Sequence, residues 1–254
     1  MKIALEIDPH LKNDPTCAAF AKTIDTFSLK EASHIIAIGG DGFMLQLLQK
    51  CLRSNIQKPI YGLNRGSFGF LMNEWCIENI KKRLEKAERY TLSPLLMNAL
   101  CIDGSKHKHW AFNDVYMWRQ THQTAKLCIY INDVPRLDTL IGDGLIIATP
   151  AGSTAYNYSA HGPILPLGTN LLAISPISPF RPRRWRGALL PNNANICIKV
   201  KETKKRPVCA VADNIEVRDI ASIDVSLDTS IAFELLFDSE KNLESRILKE
   251  QFSF

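Results

Sequence analysis

Through the first ninety residues, apolar positions come in short unbroken runs alternating with stretches of helical period. Residues 3–7, 34–38 and 59–63 read as short buried strands. Between the second and third, residues 43–52 place Met44, Leu47, Leu48 and Leu52 on adjoining positions of one helical face. Asn73 is expected to cap a helix running over 74–87, with Ile77, Ile80 and Leu84 along one stripe. Strands that alternate with helices predict parallel βαβ units covered on both faces.

After Tyr90 the period changes. Residues 95–102 run into Asp103-Gly104, a hairpin signal. Segments 126–132, 143–148, 196–200, 208–212, 220–227 and 231–237 are further strand-like runs. The expected fold is therefore an α/β N-terminal domain over residues 1–92 and a β-rich C-terminal domain over 93–238. The tail, 239–254, carries Leu243, Ile247 and Leu248 at the spacing of a short amphipathic helix, and is expected to return to the first domain.

Composition narrows the class. The chain has 254 residues, 46% of them apolar and 22% charged, the balance of a globular protein large enough to build a core without disulfide or metal staples. A net charge of +5 suits anionic substrates and argues against a dedicated nucleic-acid binder. Seven cysteines form no Cys-x-x-Cys unit, so they read as buried small hydrophobes in a reducing compartment. No secretory h-region is visible at the N-terminus, and no run of apolar residues is long enough to cross a bilayer. A cytoplasmic protein without a membrane partner is the expectation.

The most informative stretch is Gly39-Gly40-Asp41-Gly42, which ends a buried strand and opens a helix. Glycine tolerates positive φ and lets a ligand approach the backbone. A helix start offers unpaired N–H groups and a positive dipole end, both suited to phosphate. A carboxylate at such a place repels phosphate unless it binds a cation or accepts a proton from an attacking hydroxyl, and Asp41 is the candidate for either role. The bland alternative is a turn-stabilising Asp-Gly pair. A dinucleotide fingerprint fails, because Leu45 stands at the third glycine position and neutral Asn64 where an acidic ribose clamp is needed. No Gly-x-x-x-x-Gly-Lys-Ser/Thr loop is present. A second glycine loop, residues 62–71, follows the next strand and should face the same crevice, with Asn64, Arg65 and Gly66 within reach of phosphate.

These stretches, with Asn113-Asp114 and the run 143–157 (Asp-Gly-Leu-Ile-Ile-Ala-Thr-Pro-Ala-Gly-Ser-Thr-Ala-Tyr-Asn), resemble the NAD kinase family, bacterial members that use ATP or polyphosphate. The matching motifs lie between residue 39 and about 163 in the family's order and approximate spacing. The resemblance implies a substrate crevice between an α/β and a β-rich domain, NAD and ATP as substrates, and phosphorylation of the adenosine ribose 2′-hydroxyl to give NADP. It implies Asp41 as the base and a divalent cation, most simply Mg²⁺. By the same resemblance NAD would be bound by Asp41, Gly42, Phe70, Asn113, Asp114, Asp143, Thr154, Ala155, Tyr156, Ser159, Ser178, Asp213 and Asn214. Phosphate would be bound by Gly39, Gly40, Gly42, Asn64, Arg65 and Gly66. Ser178 would reach the ligand of a neighbouring subunit in a homodimer or homotetramer. Three positions depart from the family's usual residues: Asp114 replaces Glu and is one methylene shorter, Phe43 replaces Thr, and Ile141 replaces a polar or basic residue.

Taken without the resemblance, Thr149-Pro150 should end a strand, Gly152 should allow a sharp turn, and Ser153 or Thr154 should cap a helix. The flat ring of Tyr156 suits stacking on a base, although core packing explains it equally. The Arg181-Pro182-Arg183-Arg184-Trp185-Arg186 segment can bind phosphates or sit at an interface, and a solvated loop is the plain alternative. The six histidines show no metal spacing, and no Gly-x-Ser-x-Gly elbow exists. A dinucleotide-using oxidoreductase and a non-catalytic nucleotide- or RNA-binding module are the competing functions.

Overall fold

A computed structural model describes residues 1–66, 69–239 and 252. The chain divides into two compact units, Met1–Leu92 with Ala232–Phe254, and Ser93–Ile231.

The first unit holds β1 (Ile3–Ile7), α1 (Pro15–Ala21), β2 (His34–Gly39), α2 (Asp41–Arg53), β3 (Ile60–Asn64), α3 (Ile80–Lys86), β4 (Glu88–Leu92) and a closing strand, Phe233–Phe237. They form a five-stranded sheet in the order β1, β2, β3, closing strand, β4. β1 to β3 are parallel, and Gly39 at the end of β2 lies opposite Asn64 at the end of β3. Both glycine loops therefore leave the sheet side by side at its C-terminal edge, where open α/β sheets bind ligands. Ile36 and Ile38 of β2 pack with Cys17 and Phe20 of α1 and Ile80 and Leu84 of α3. The helix read at 43–52 begins two residues earlier, so Asp41 and Gly42 form its first turn, and it buries Met44, Leu47, Leu48 and Cys51.

Two expectations need correction in this unit. Residues 231–237 were read as part of the β-rich domain; Phe233–Phe237 instead pairs parallel with β3 and antiparallel with β4. Alternation of apolar residues marks a strand but carries no information about which sheet receives it. Asn73 caps no helix. It is buried, its side-chain amide donates to the carbonyls of Gly62 and Leu236, and its oxygen accepts from the Asp238 N–H. The helix consequently starts only at Ile80, after a left-handed Asn79. The tail helix expected over 239–254 lies outside the described residues apart from its first position and Phe252.

The second unit is almost wholly β. Its elements are β5 (Leu95–Cys101), β6 (Lys106–Ala111), β7 (Asp114–Arg119), β8 (Ala125–Ile131), β9 (Val134–Gly142), β10 (Gly144–Ala148), the single-turn α4 (Tyr156–Ser159), β11 (Leu171–Ile177), β12 (Ala188–Pro191), β13 (Ile196–Val200), β14 (Val208–Ala212), β15 (Ile215–Val217) and β16 (Ile220–Leu227). Two six-stranded sheets result, ordered β12-β11-β10-β7-β14-β15 and β6-β5-β16-β13-β8-β9. Their facing sides share one core, including Met97, Ile198, Ile223, Met117, Ile147 and Ala210. β10 is buried on both faces: Leu145 and Ile147 enter that core, while Ile146 and Ala148 join a second cluster with Leu165 and Ile177. This two-sided burial is why 143–148 reads as an unbroken apolar run.

Candidate active site

In the first unit the geometry centres on Asp41. It occupies the first position of α2, after Gly40 in extended conformation. Its two carboxylate oxygens accept the backbone N–H groups of Phe70 (2.7 Å) and Leu71 (3.0 Å) from the second glycine loop. The Arg65 N–H donates to the Gly39 carbonyl at 2.9 Å, tying the two loops together a second time. Hydrogen bonds to an ionised acceptor are shorter and stronger than neutral ones.

The glycines act by size here, not by φ. None of Gly39, Gly40, Gly42 or Gly62 is among the glycines with positive φ. A Cβ at Gly39 would sit 2.8 Å from the Phe43 ring, and one at Gly62 would sit 2.5 Å from Met72 Sδ. A Cβ at Gly69 would approach Asp41 Oδ1 to 2.6 Å. At Gly40 and Gly42 a Cβ would meet nothing within 4 Å among the described residues. The first turn of α2, the positive end of the helix dipole, begins at these glycines. Arg65 is held by Asp14 (2.5 Å) and stacks 5.0 Å from the Trp75 ring centre, and its Nε lacks a partner among the described residues. The hydrogen bond from Arg65 is the main cause that brings the Asp14 carboxyl down to about 2. Asn64 Oδ1 accepts from the Gly66 N–H at 3.1 Å.

In the second unit, Asn113 and Asp114 stand at the start of β7, beside the turn that leaves β10. Asn113 Oδ1 is buried with no hydrogen-bond partner among the described residues, an orphaned acceptor of the kind that a ligand donor completes. Asp114 is 5% exposed. Its carboxyl is pushed up to about 7, first by burial and second by the neighbouring Asp213 carboxylate. Asp213 sits in left-handed conformation in the turn between β14 and β15, with Asn214 exposed next to it. Its oxygens accept the N–H groups of Phe112 (2.8 Å), Asn113 (3.0 Å) and Asp114 (3.4 Å).

The run after β10 folds as a short 3₁₀ turn, Ala151–Thr154, followed by α4. Its glycine is required by contact: a Cβ at Gly152 would lie 2.0 Å from the Asn113 carbonyl oxygen. The hydroxyls expected to cap a helix do other work. Ser153 Oγ donates to the Pro150 carbonyl and accepts the Leu165 N–H, and α4 has no side-chain cap. Asn157 is buried, bonding Ser153, Pro163 and Ser175, so the end of the run is structural. Tyr156 packs edge-on against Tyr116 at 5.1 Å, and burial raises both phenols. Thr154, Ala155 and Tyr156 are half-buried and Ser159 is exposed. Asp143 pairs with Arg119 at 2.5 Å. Ser178 is exposed with φ of 45° immediately after β11.

No three His, Cys, Asp or Glu side chains come together as a metal site among the described residues. The exposed arginines 181, 183, 184 and 186 follow a Phe180 over which Arg181 and Arg183 stack. A cleft lined by Asp103, His107, His109 and Arg218 contains none of the residues singled out above.

Comparison with known proteins decides the family. Residues 6–90 match the ATP-NAD kinase N-terminal domain and residues 112–244 match the ATP-NAD kinase C-terminal domain. The chain belongs to the NAD kinase family. An NAD kinase of Caulobacter vibrioides is 51% identical over 224 residues, covering 88% of this chain and 85% of its own. An NAD kinase of Zymomonas mobilis is 45% identical over 251 residues, covering 99% and 97%. Two solved structures share the fold. A yeast NADH kinase complexed with NADH gives a TM-score of 0.78 at 21% identity, covering all of this chain and 89% of its own. An Archaeoglobus fulgidus NAD kinase in complex with ATP gives 0.74 at 24%, covering 98% of each. The expected two-domain architecture, α/β then β-rich, is that of the family. Within it, sequence reasoning read Thr149 only as a strand end and Asp213 only as a ligand residue, and missed the hydrogen bonds both make to the Phe112–Asp114 backbone.

Proposed function

We propose that this NAD kinase transfers the γ-phosphoryl group of ATP to the 2′-hydroxyl of the adenosine ribose of NAD, with Asp41 taking the hydroxyl proton. The hydroxyl oxygen forms the new bond to phosphorus, the bond to the β–γ bridging oxygen breaks, and ADP leaves with NADP as the second product. One observation carries the assignment. The Asp41 carboxylate is fixed by two backbone N–H groups at a helix start, between glycines where a Cβ would meet nothing within 4 Å among the described residues. Backbone N–H donors fix the orientation of the carboxylate as a hydrogen-bond acceptor, which is the role a proton-accepting base needs.

The phosphate-binding set is Gly39, Gly40, Gly42, Asn64, Arg65 and Gly66, supported by the positive end of α2, which begins at Asp41. Asn113 and Asp114 take the ribose hydroxyls and adenine side, which gives the orphaned Asn113 oxygen its missing donor. Phe70, Asp143, Thr154, Ala155, Tyr156 and Ser159 complete the NAD set. Ser178 serves a neighbouring subunit of a homodimer or homotetramer, a role its exposed position supports. Asp213 and Asn214 belong near the substrate, Asp213 in the way argued below. The divalent cation would be Mg²⁺, with Asp41 as the protein carboxylate that would hold it. When bound, the ion would neutralise charge on the transferring phosphoryl group. A reducing, cytoplasmic setting agrees with seven cysteines that are all free.

Purified protein mixed with NAD, ATP and Mg²⁺ should form NADP, read with an NADP-specific dehydrogenase. Asp41→Asn should lose roughly 10²–10⁴-fold in turnover, the usual worth of a placed general base. Turnover within a few-fold of wild type would leave Asp41 a turn residue, and no NADP with any divalent metal would remove the reading altogether.

A further inference from the structure

The backbone around Asn113 is held in an unusual way. Three consecutive residues, Phe112, Asn113 and Asp114, offer three N–H groups and three carbonyls, and two residues outside the segment engage all six. The Asp213 carboxylate accepts the three N–H groups, at 2.8, 3.0 and 3.4 Å. The Asp213 N–H donates to the Asp114 carbonyl at 3.1 Å. Thr149 Oγ1 donates to the Phe112 carbonyl at 2.7 Å, and the Thr149 N–H donates to the Asn113 carbonyl at 2.9 Å. The same hydroxyl accepts the Gly152 N–H at 3.1 Å, which draws the following turn onto Asn113. Gly152 then lies so close to the Asn113 carbonyl that no side chain fits between them.

A strand normally satisfies its backbone through the ladder; here two side chains take part of that work at the entry to β7. Thr149 is 3% exposed and Asp114 5%, so the arrangement is shielded from water. What the segment presents is the reverse of its backbone. Asn113 has a buried acceptor with no partner among the described residues, and Asp114 has a buried carboxyl beside a second carboxylate. Side chains with unmet acceptors stay where they are only if the backbone below them cannot relax.

We propose that Thr149 and Asp213 are positioning residues for NAD: they clamp the Phe112–Asp114 backbone so that Asn113 and Asp114 meet the adenosine ribose in a fixed geometry. The proposal rests on the assignment of Asn113 and Asp114 to NAD. It also gives Asp213 a different task from ligand contact, since its carboxylate is spent on backbone N–H groups. Thr149→Val keeps the shape and removes one donor and one acceptor. Asp213→Asn replaces one accepting oxygen with an N–H₂ group that faces backbone donors.

The test is steady-state kinetics on the full-length protein, with NAD and ATP varied separately and thermal midpoints measured on each variant. Thr149→Val should raise KM for NAD about tenfold or more, the effect of one displaced contact set, while KM for ATP stays within about twofold. Thr149→Ser, which restores the hydroxyl, should return KM for NAD to within about threefold of wild type. The Thr149→Val effect should shrink at least severalfold in an Asn113→Ala background, leaving only the part that acts through Asp114. Equal shifts in both KM values, or full additivity with Asn113→Ala, would overturn the proposal. Should Thr149→Val fail to fold, Asp213→Asn carries the same comparison, with the same outcomes expected and excluded. Failure of the underlying assignment looks different: Asn113→Ala would then leave KM for NAD unchanged.

Discussion

Gly69→Ala tests the Asp41 geometry without touching Asp41. The added methyl would lie 2.6 Å from Asp41 Oδ1, closer than real Cβ contacts come, and a tight 3.2 Å from its Cγ. Relief requires the carboxylate to swing or the loop to withdraw, and either movement breaks the bonds from the Phe70 and Leu71 N–H groups. A hydrogen bond to a charged group contributes about 1.5–3 kcal/mol. Loss of one such bond, about 2 kcal/mol, corresponds to roughly thirtyfold in rate if it is expressed at the transition state. Initial rates of NADP formation should therefore show kcat reduced about 10- to 100-fold. The double variant with Asp41→Asn should fall no further than Asp41→Asn alone, because the glycine acts through that carboxylate. A kcat within about twofold of wild type would refute the reasoning. So would a double variant that loses the full product of both factors.

Other outcomes follow from the same contacts. Gly40→Ala should keep the wild-type thermal midpoint but lower activity, since its methyl meets no described atom and occupies the face assigned to phosphate; unchanged kinetics would count against that face. Gly152→Ala, colliding with the Asn113 carbonyl at 2.0 Å, should destabilise by about 1–3 kcal/mol, visible in urea unfolding. Asp114→Asn should stabilise the protein at alkaline pH while weakening NAD binding. The folded carboxyl titrates near 7 against an ordinary 3.8, so the folded state holds a proton that the unfolded chain gives up. Stability attributable to this group is highest below the unfolded value and falls as pH rises from about 4 through 7, by about 4 kcal/mol at most. Urea unfolding at pH 5 and pH 8 should show the advantage of Asp114→Asn widening with pH, and a constant difference would contradict the burial argument.

Legibility in the sequence followed burial symmetry. β2 and β10, covered on both faces, announce themselves as apolar runs, and the amphipathic face of α2 is equally plain. β9 escapes such a reading because it is an edge strand that tolerates Pro135 and two charges, Arg136 and Asp138. β11 was masked by Ser175 and Pro176 within a buried strand. The glycine turn with Asp41 was visible because its residue types are unusual together. The backbone-binding roles of Thr149 and Asp213 were not, since such hydrogen bonds can be received by any backbone. Asn73 misled for a related reason: an amide that can cap a helix can also bridge two loops, and only the location of Leu236 settles which it does.

The placement of the closing strand has a consequence for synthesis. Phe233–Phe237 lies between β3 and β4, and Asp238 just beyond it bonds the Tyr61 hydroxyl and the Arg83 guanidinium. A ribosome releases residues 1–92 long before this strand exists, so the early half emerges with a gap between two of its strands. The β-rich half, Ser93–Ile231, has all of its own strands in hand before the gap is filled. Vectorial maturation should thus run backwards relative to chain order. A fragment ending near Leu92 should be aggregation-prone until a peptide carrying the missing strand is supplied.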